Sequence, residues 1–257
     1  RLQREEVDVL DAAAVDAIAE ALVAARRDGV KISSPDRRIG VDEAYRIQDA
    51  VARRLGPVVG WKVGAKAADI LPTCAPLVAG TVHPMGGPPV FAAGKRVGVE
   101  VEIAYRLGRA LASSPHPPTD EEIFAAVASA HIAVEICDTR WRDGEQVDGA
   151  WVLADNQMNE ALLVGAPLDV EAIDFADLEA RLVVDGKTRV ATRAGHPGGD
   201  PRRLLLWLVR HCVSARGGLS EGAIVTTGSW TGMQFAEPGQ HIVAELSGLG
   251  RLAFQLA

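Results

Sequence analysis

Val97-Gly98-Val99-Glu100-Val101-Glu102-Ile103-Ala104-Tyr105 alternates with a period of two, the pattern of a β-strand. On such a strand Val99, Val101 and Ile103 share one face, while Glu100 and Glu102 share the other. Two carboxylates about 7 Å apart along a strand repel each other unless positive charge lies between them. A solvated strand face accommodates the pair as readily as a cation site does. A third acid changes the balance. Glu135 stands in Ala133-Val134-Glu135-Ile136-Cys137, an apolar run that reads as buried, and a buried acid is seldom left unpaired. Three carboxylates without an evident His or Cys partner describe a hard-cation site, best suited to Mg²⁺ or Mn²⁺.

Composition narrows the function classes. The 257 residues suffice for one large domain or two small ones, and 48% hydrophobic with 24% charged residues is ordinary for a globular chain. A net charge of −7 argues against nucleic acid or an anionic membrane surface as the main partner. No apolar run approaches the roughly 20 residues of a membrane span. The amino end, Arg1-Leu2-Gln3-Arg4-Glu5-Glu6, has no signal-peptide core, and its lack of Met reads as trimming; a cytoplasmic protein is expected. Cys74, Cys137 and Cys212 are too scattered for a disulfide framework or zinc knuckle and read as reduced packing residues.

Ahead of the acidic strand, residues 8–28 carry an Ala-rich helical pattern ended by Gly29, and Asp42 caps a second helix running to Leu55. These helices form an amino-terminal layer, residues 1–57, packed on a core of residues 58–257. Val58-Val59-Gly60-Trp61-Lys62-Val63-Gly64-Ala65 reads as a short buried strand. Lys62 in its middle either snorkels to the surface or serves as a cation or proton shuttle, with a pKa lowered by desolvation. Residues 66–98, including Pro84-Met85-Gly86-Gly87-Pro88-Pro89, read as a long ordered loop over the site, with room for short strands, and with lid behaviour.

Farther on, Thr119 and Glu122 form a capping box for a helix carrying Ile123, Ala126, Val127 and Ala130, which yields to the strand of Glu135. His131 reads as a packed residue. Residues 151–157 read as an apolar strand ending in Asp155-Asn156-Gln157, side chains that orient a substrate or water, or else form a turn. A hairpin is expected through Asp185-Gly186, and Asp200-Pro201 opens a helix with the stripe Leu204, Leu205, Leu208, Val209 and Cys212. Gly195-His196-Pro197-Gly198-Gly199 is a loop too irregular for a phosphate fingerprint. Residues 223–232 run from a strand into a hydroxyl- and glycine-rich turn able to offer donors to a carboxylate. A closing hairpin follows. The whole reads as one α+β unit with helices around a strongly twisted antiparallel sheet.

Five pieces carry a resemblance: Gly60-Trp61-Lys62-Val63-Gly64, Val99-Glu100-Val101-Glu102-Ile103-Ala104, Val134-Glu135-Ile136-Cys137-Asp138-Thr139-Arg140, Ala154-Asp155-Asn156 and Val225-Thr226-Thr227-Gly228-Ser229. In their order and spacing the chain resembles the 2-keto-4-pentenoate hydratase and 4-oxalocrotonate decarboxylase group of the fumarylacetoacetate hydrolase superfamily. The resemblance runs from about Val59 to the end, with a looser fit at the amino-terminal helices. It implies a mixed β-sandwich or β-roll core and a divalent ion held by Glu100, Glu102 and Glu135. It also implies an active-site Lys62, substrate contacts near Asp155 and at Thr227, Gly228 and Ser229, and a homo-oligomer, a dimer or an assembly of dimers. One stretch departs. The family's hydratases usually carry Pro-Asp-X-Gly where this chain reads Pro76-Leu77-Val78-Ala79-Gly80, so Asp69 or Asp155 takes over that acid's task or the reaction differs.

The expected function is a metal-dependent hydratase, a lyase adding water to a 2-hydroxydienoate or 2-keto-4-enoate to give a 4-hydroxy-2-keto acid. Lys62 is the expected proton carrier or enolate partner, and Asp155 orients or deprotonates the water. The alternatives are a 2-keto diacid decarboxylase of the 4-oxalocrotonate type, a C–C hydrolase of an acylpyruvate, and a metal-bearing binding protein without chemistry. Trp61, Trp141 and Trp230 flank these motifs and read as pocket walls or as core.

Overall fold

In a computed structural model, which describes residues 9–85, 95–169 and 173–257, the alternating run becomes the central strand of a mixed sheet. Two helices precede it, α1 (Ala12–Asp28) and α2 (Val41–Leu55). Asp11 caps α1 by accepting from the Ala14 N–H, and Gly29 ends it at φ +65°. The N-cap of α2 is Gly40 rather than Asp42: the Glu43 carboxylate reaches back to the Gly40 N–H at 3.0 Å, which leaves Asp42 in the first turn.

The first strands are β1 (Val58–Gly64), β2 (Thr73–Val78), β3 (Val82–Pro84), β4 (Val97–Leu107) and β5 (Leu111–Ala112). The stretch read as a long loop with room for short strands contains two, β2 and β3, both paired, and residues 86–94, on which much of the lid expectation falls, lie outside the described residues. The capping box at Thr119 forms, but its helix α3 (Asp120–Phe124) is short. Val127 and Ala130 belong instead to β6 (Val127–Cys137), because ladder pairing with β4 along its length outweighs one more helical turn.

Next come α4 (Gly149–Ala154), β7 (Asn159–Leu168), the hairpin β8 (Glu179–Val184) and β9 (Lys187–Arg193), and α5 (Arg202–Ala215). They are followed by β10 (Gly218–Leu219), β11 (Ile224–Ser229), β12 (Gln234–Ala236) and the closing hairpin β13 (His241–Leu246) and β14 (Gly250–Gln255). The apolar run before Asp155 is therefore a helix rather than a strand. Asp148 caps it through the Ala150 N–H, and Trp151, Leu153 and Ala154 pack into the apolar cluster of α1 and α2.

Among the described residues, eight strands form one sheet in the order β2-β1-β11-β4-β6-β7-β3, with β12 also on β4. The pairs β1/β11 and β3/β7 are parallel, so the sheet is mixed rather than antiparallel. A second sheet, β14-β13-β8-β9, and helix α5 share a core with the apolar face of the first, built on Val99, Val101, Ile103, Ile132 and Val134. Parity then fixes the other face. Lys62, Glu100, Glu102, Glu135 and Thr226 are all one residue out of phase with core positions on their strands. Gly60 lets β1 approach β11: a Cβ there would lie 2.2 Å from the Ile224 carbonyl oxygen.

Between α4 and β7 the backbone turns left-handed through three non-glycine residues, Asn156, Gln157 and Met158, at φ +49°, +50° and +62°. Such geometry costs about 1–2 kcal/mol per residue, and a buried ion pair holds it. Asp155 and Arg140, 4% and 5% exposed, meet at 2.6 Å from Nε to Oδ1. The Arg140 N–H (2.8 Å) and the Thr139 hydroxyl (3.1 Å) donate to Oδ2. Arg140 also donates to the carbonyls of Asp155 (3.0 Å) and Asn159 (3.2 Å), which clamps both ends of the turn. Replacing Asp155 with Asn leaves the buried guanidinium only the more exposed Glu160, 2.9 Å from Nη1, as counter-charge, and removes its bond to Oδ1. Asp155→Asn is expected to cost about 3–5 kcal/mol in urea unfolding. A loss below about 1 kcal/mol, the worth of an exposed pair, would contradict that assignment.

Candidate active site

The out-of-phase residues meet over a cavity of about 660 Å³ lined by Lys62, Glu100, Glu102 and Glu135 together with Lys66, His196, Gly228 and Ser229. Glu100 on β4 stands directly opposite Glu135 on β6, and Lys62 on β1 opposite Thr226 on β11. The Lys62 ammonium donates to both Glu135 oxygens, at 2.6 and 2.7 Å, and to the Gln157 carbonyl at 3.0 Å. That carbonyl is presented by the left-handed turn. Asn159 adds a third hydrogen bond to Glu135, at 2.8 Å to Oε1. Glu102 accepts from the Thr226 hydroxyl and, at 3.1 Å, from the Gly228 N–H.

Charge is short by design of the sheet: three carboxylates face one ammonium. Burial, followed by repulsion from Glu135 and Glu100, pushes the Glu102 carboxyl up to about 8. Burial and Glu135 likewise raise Glu100, with Lys62 pulling the other way. Burial alone would lower the Lys62 pKa, as expected from its sequence context, but the facing Glu135, with Glu100 and Glu102, reverses this and raises it. Lys62 is thus held as a cation and is no free base. Glu100, Glu135 and Cys137 each bring one ligand atom within 4.8 Å of the others. With Glu102 beside them, two buried carboxylates and the half-buried Glu100, under-neutralised by one ammonium, fit a hard divalent cation.

The structure brings together Lys62, Glu100, Glu102, Glu135, Gly228 and Ser229, but not all the expected site residues. Asp155 does not line the cavity; its oxygens are taken by Arg140 and Thr139. Thr227 points to the opposite face, where its hydroxyl donates to the Ile103 carbonyl at 3.0 Å, and the site-facing threonine is Thr226. Asp69, the other substitute for the missing loop acid, is exposed and off the cavity, while Leu77 is buried in β2. Trp61, Trp141 and Trp230 are core residues. His131 is packed as expected, bridging Ser129 and the Gly165 carbonyl.

Several site residues gave no sequence signal. His196 comes from the glycine-rich loop after β9. Its Nδ1 accepts from the Gly198 N–H at 3.1 Å, so Nε2 carries the proton and donates to the Thr227 carbonyl at 2.8 Å. Burial lowers its pKa, consistent with a neutral ring. Gly228, at φ +91°, leaves the room this ring needs, since a Cβ would lie 3.3 Å from Nε2. Asn159 and the Gln157 carbonyl become visible only once the turn is folded. A second cavity, about 500 Å³ between Asp49, Arg53 and Arg216, lacks such a cluster: Arg216 is already paired with Asp49 at 2.8 Å.

The chain is similar in sequence and in fold to known proteins. A 156-residue stretch, 61% of the chain, is 31% identical to a 4-oxalocrotonate decarboxylase from Pseudomonas sp, and spans 59% of that relative's length. The fold matches 4-oxalocrotonate decarboxylase from Pseudomonas putida G7, complexed with magnesium and adipate, at a TM-score of 0.81 and 22% identity over 96% of this chain and 99% of that one. It also matches, at a TM-score of 0.54 and 17% identity over 77% and 69% of the two chains, maleylpyruvate hydrolase from Sphingobium sp. SYK-6 in complex with manganese(II) ion and pyruvate. Residues 73–257 match the family model described as fumarylacetoacetate (FAA) hydrolase C-terminal. All three clustered carboxylates fall within that match, which covers most of the sequence: the chain belongs to the fumarylacetoacetate hydrolase family.

Proposed function

We propose that this chain is a Mg²⁺- or Mn²⁺-dependent decarboxylase of a 2-keto dicarboxylic acid of the 4-oxalocrotonate type. The observation that carries this choice is the state of the bases around the cavity. Hydration, the reaction expected first from the sequence, and C–C hydrolysis both need a group that takes a proton from water. Among the described lining residues the acids are Glu100, Glu102 and Glu135, all drawn into the cation cluster. His196, also on the lining, has both ring nitrogens engaged. Similarity to 4-oxalocrotonate decarboxylases in sequence and in fold supports the same choice.

Decarboxylation needs no such base. The C–C bond to the leaving carboxylate breaks, CO₂ departs, and the bonding pair runs along the conjugated chain to the C2 oxygen, which takes up one proton. Glu100, Glu102 and Glu135 would hold a divalent ion, which would supply Lewis-acid stabilisation of the negative charge that develops on the substrate. Lys62, whose ammonium faces Glu135 inside the cavity, brings positive charge close to the place where charge develops on the substrate. Ser229 offers a hydroxyl to the substrate carboxylate beside the cluster. Val147, Val152 and Leu153, also on the lining, solvate a carboxylate poorly and so favour its loss as neutral CO₂. Exposed Lys66 at the rim adds a cation for capturing a dianion.

The direct test gives metal-stripped protein, resupplied with Mg²⁺ or Mn²⁺, two substrates: 2-oxohex-3-enedioate and 2-hydroxypenta-2,4-dienoate. CO₂ release from the diacid without water gain on the dienoate is expected. Metal-dependent gain of one water would instead establish the hydratase. Lys62→Met should lower kcat by at least about a hundredfold. The same change should tighten Mn²⁺ binding read by electron paramagnetic resonance, because the ammonium no longer competes for Glu135; unchanged kcat would remove Lys62 from the chemistry.

A pH dependence follows from the same cluster. Without metal, folding raises the Glu102 pKa from 4.5 to about 8, so the folded state keeps a proton that the unfolded chain loses. The stability from this group is full below the unfolded value and is lost as pH rises through about 8. The Tm of metal-free protein should therefore fall across that interval. Saturating Mg²⁺, or Glu102→Gln, should flatten the fall; an equal slope in the variant would refute the assignment.

A further inference from the structure

One side of the cation cluster is made of sulfur. Cys137, 3% exposed, follows Glu135 on the same strand face and pairs across the ladder with Gly98. Its Sγ lies 3.5 Å from Glu100 Oε2. Gly98 leaves a gap that both sulfur side chains enter: a Cβ there would lie 2.8 Å from the Met233 Sδ and 3.1 Å from the Cys137 Cβ. Met233 lines the cavity, whereas Cys137 lies behind Glu100, off the lining. The cluster thus has an oxygen-rich flank at Glu102 and Thr226 and a sulfur flank at Cys137 and Met233, with Glu100 and Glu135 between them.

We propose that Glu100, Glu135 and Cys137 form a site for a thiophilic divalent ion of the Zn²⁺ or Cd²⁺ class, taken up in competition with the Mg²⁺ or Mn²⁺ of the decarboxylase reading. The proposal rests on that reading insofar as the two ions share Glu100 and Glu135. Hard cations gain little from sulfur, whereas Zn²⁺ and Cd²⁺ favour thiolate. Ligands at about 2.0–2.3 Å from a tetrahedral ion stand roughly 3–4 Å apart, so donors within 4.8 Å of one another converge by side-chain adjustment. Burial and the facing carboxylates keep the Cys137 thiol protonated in the metal-free chain; ion binding breaks the S–H bond, forms an S–metal bond, sends the proton to solvent and displaces the Lys62 ammonium from one Glu135 oxygen, with no electrons exchanged. An ion on this flank occupies Glu100 and Glu135 without serving the hard-cation chemistry, and so makes the enzyme sensitive to thiophilic metals.

The test is a Cd²⁺ titration of the full chain, stripped of other metals, followed by the thiolate-to-cadmium charge-transfer band in the ultraviolet. Saturation at one Cd²⁺ per chain is expected. Cys74→Ser and Cys212→Ser should keep the band, and Cys137→Ser should lose it. Cys137→Ser should also bind Cd²⁺ at least about tenfold more weakly while its Mn²⁺ affinity changes less than about threefold. Cadmium-113 NMR of the unsubstituted protein reads sulfur in the ion's shell without relying on any variant to fold. Absence of both signals from the wild-type protein, or a band that survives Cys137→Ser, would overturn the proposal. Failure of Mn²⁺ to bind the wild-type chain while the cadmium band forms would instead overturn the hard-cation reading.

Discussion

Crowding three like charges onto one face of a sheet, with Glu102 and Glu135 buried and Glu100 half-buried, is the constraint on which the rest of this structure depends. Glu100, Glu102 and Glu135 repel one another in a medium that solvates them poorly, so each oxygen must find a donor or a cation. Lys62 and Asn159 serve Glu135, and Thr226 with Gly228 serves Glu102. These donors come from β1, β7 and β11, strands remote in sequence. They arrive together only because the sheet order sets β1 and β11 on one side of β4 and β6 with β7 on the other. The parallel β1/β11 pair that brings Lys62 to Thr226 in turn requires Gly60.

The face away from the acids supplies rigidity. Its valines and isoleucines pack with α5 and the second sheet, and parity along each strand then leaves no other direction for the charged side chains. The helical layer has a comparable supporting role. Arg140 and Asp155 hold a left-handed turn that an isolated peptide would not keep, and the turn aims the Gln157 carbonyl at Lys62. Strain next to the site is offset by a buried ion pair outside it. An acid that looked catalytic from its motif thus acts one step removed from the cavity.

Local signals in the sequence were accurate where local physics decides. Alternation marked β4, the capping box marked the start of α3, Gly29 marked the end of α1, and Asp185-Gly186 marked the hairpin turn. They failed where tertiary pairing competes with local preference. The helix at α3 ended early because β6 gains more from its ladder with β4, and α4 was misread because a short apolar run carries no period of its own. The pKa of Lys62 was misjudged for a related reason: burial was legible, but the facing carboxylate that reverses its effect was not.

By itself, then, the sequence determined which residues share a face, because a strand's period of two depends on nothing beyond the strand. Glu100 with Glu102, and their separation from Val99 and Val101, needed no structure. Tertiary structure alone decided which faces meet. Register set Glu135 against Glu100, chose Thr226 over Thr227, drew Asp155 into an ion pair and brought in His196 from a distant loop. Those outcomes depend on hydrogen-bond ladders and close approaches between segments far apart in the chain, and no local pattern encodes the distance between two strands that have yet to pair.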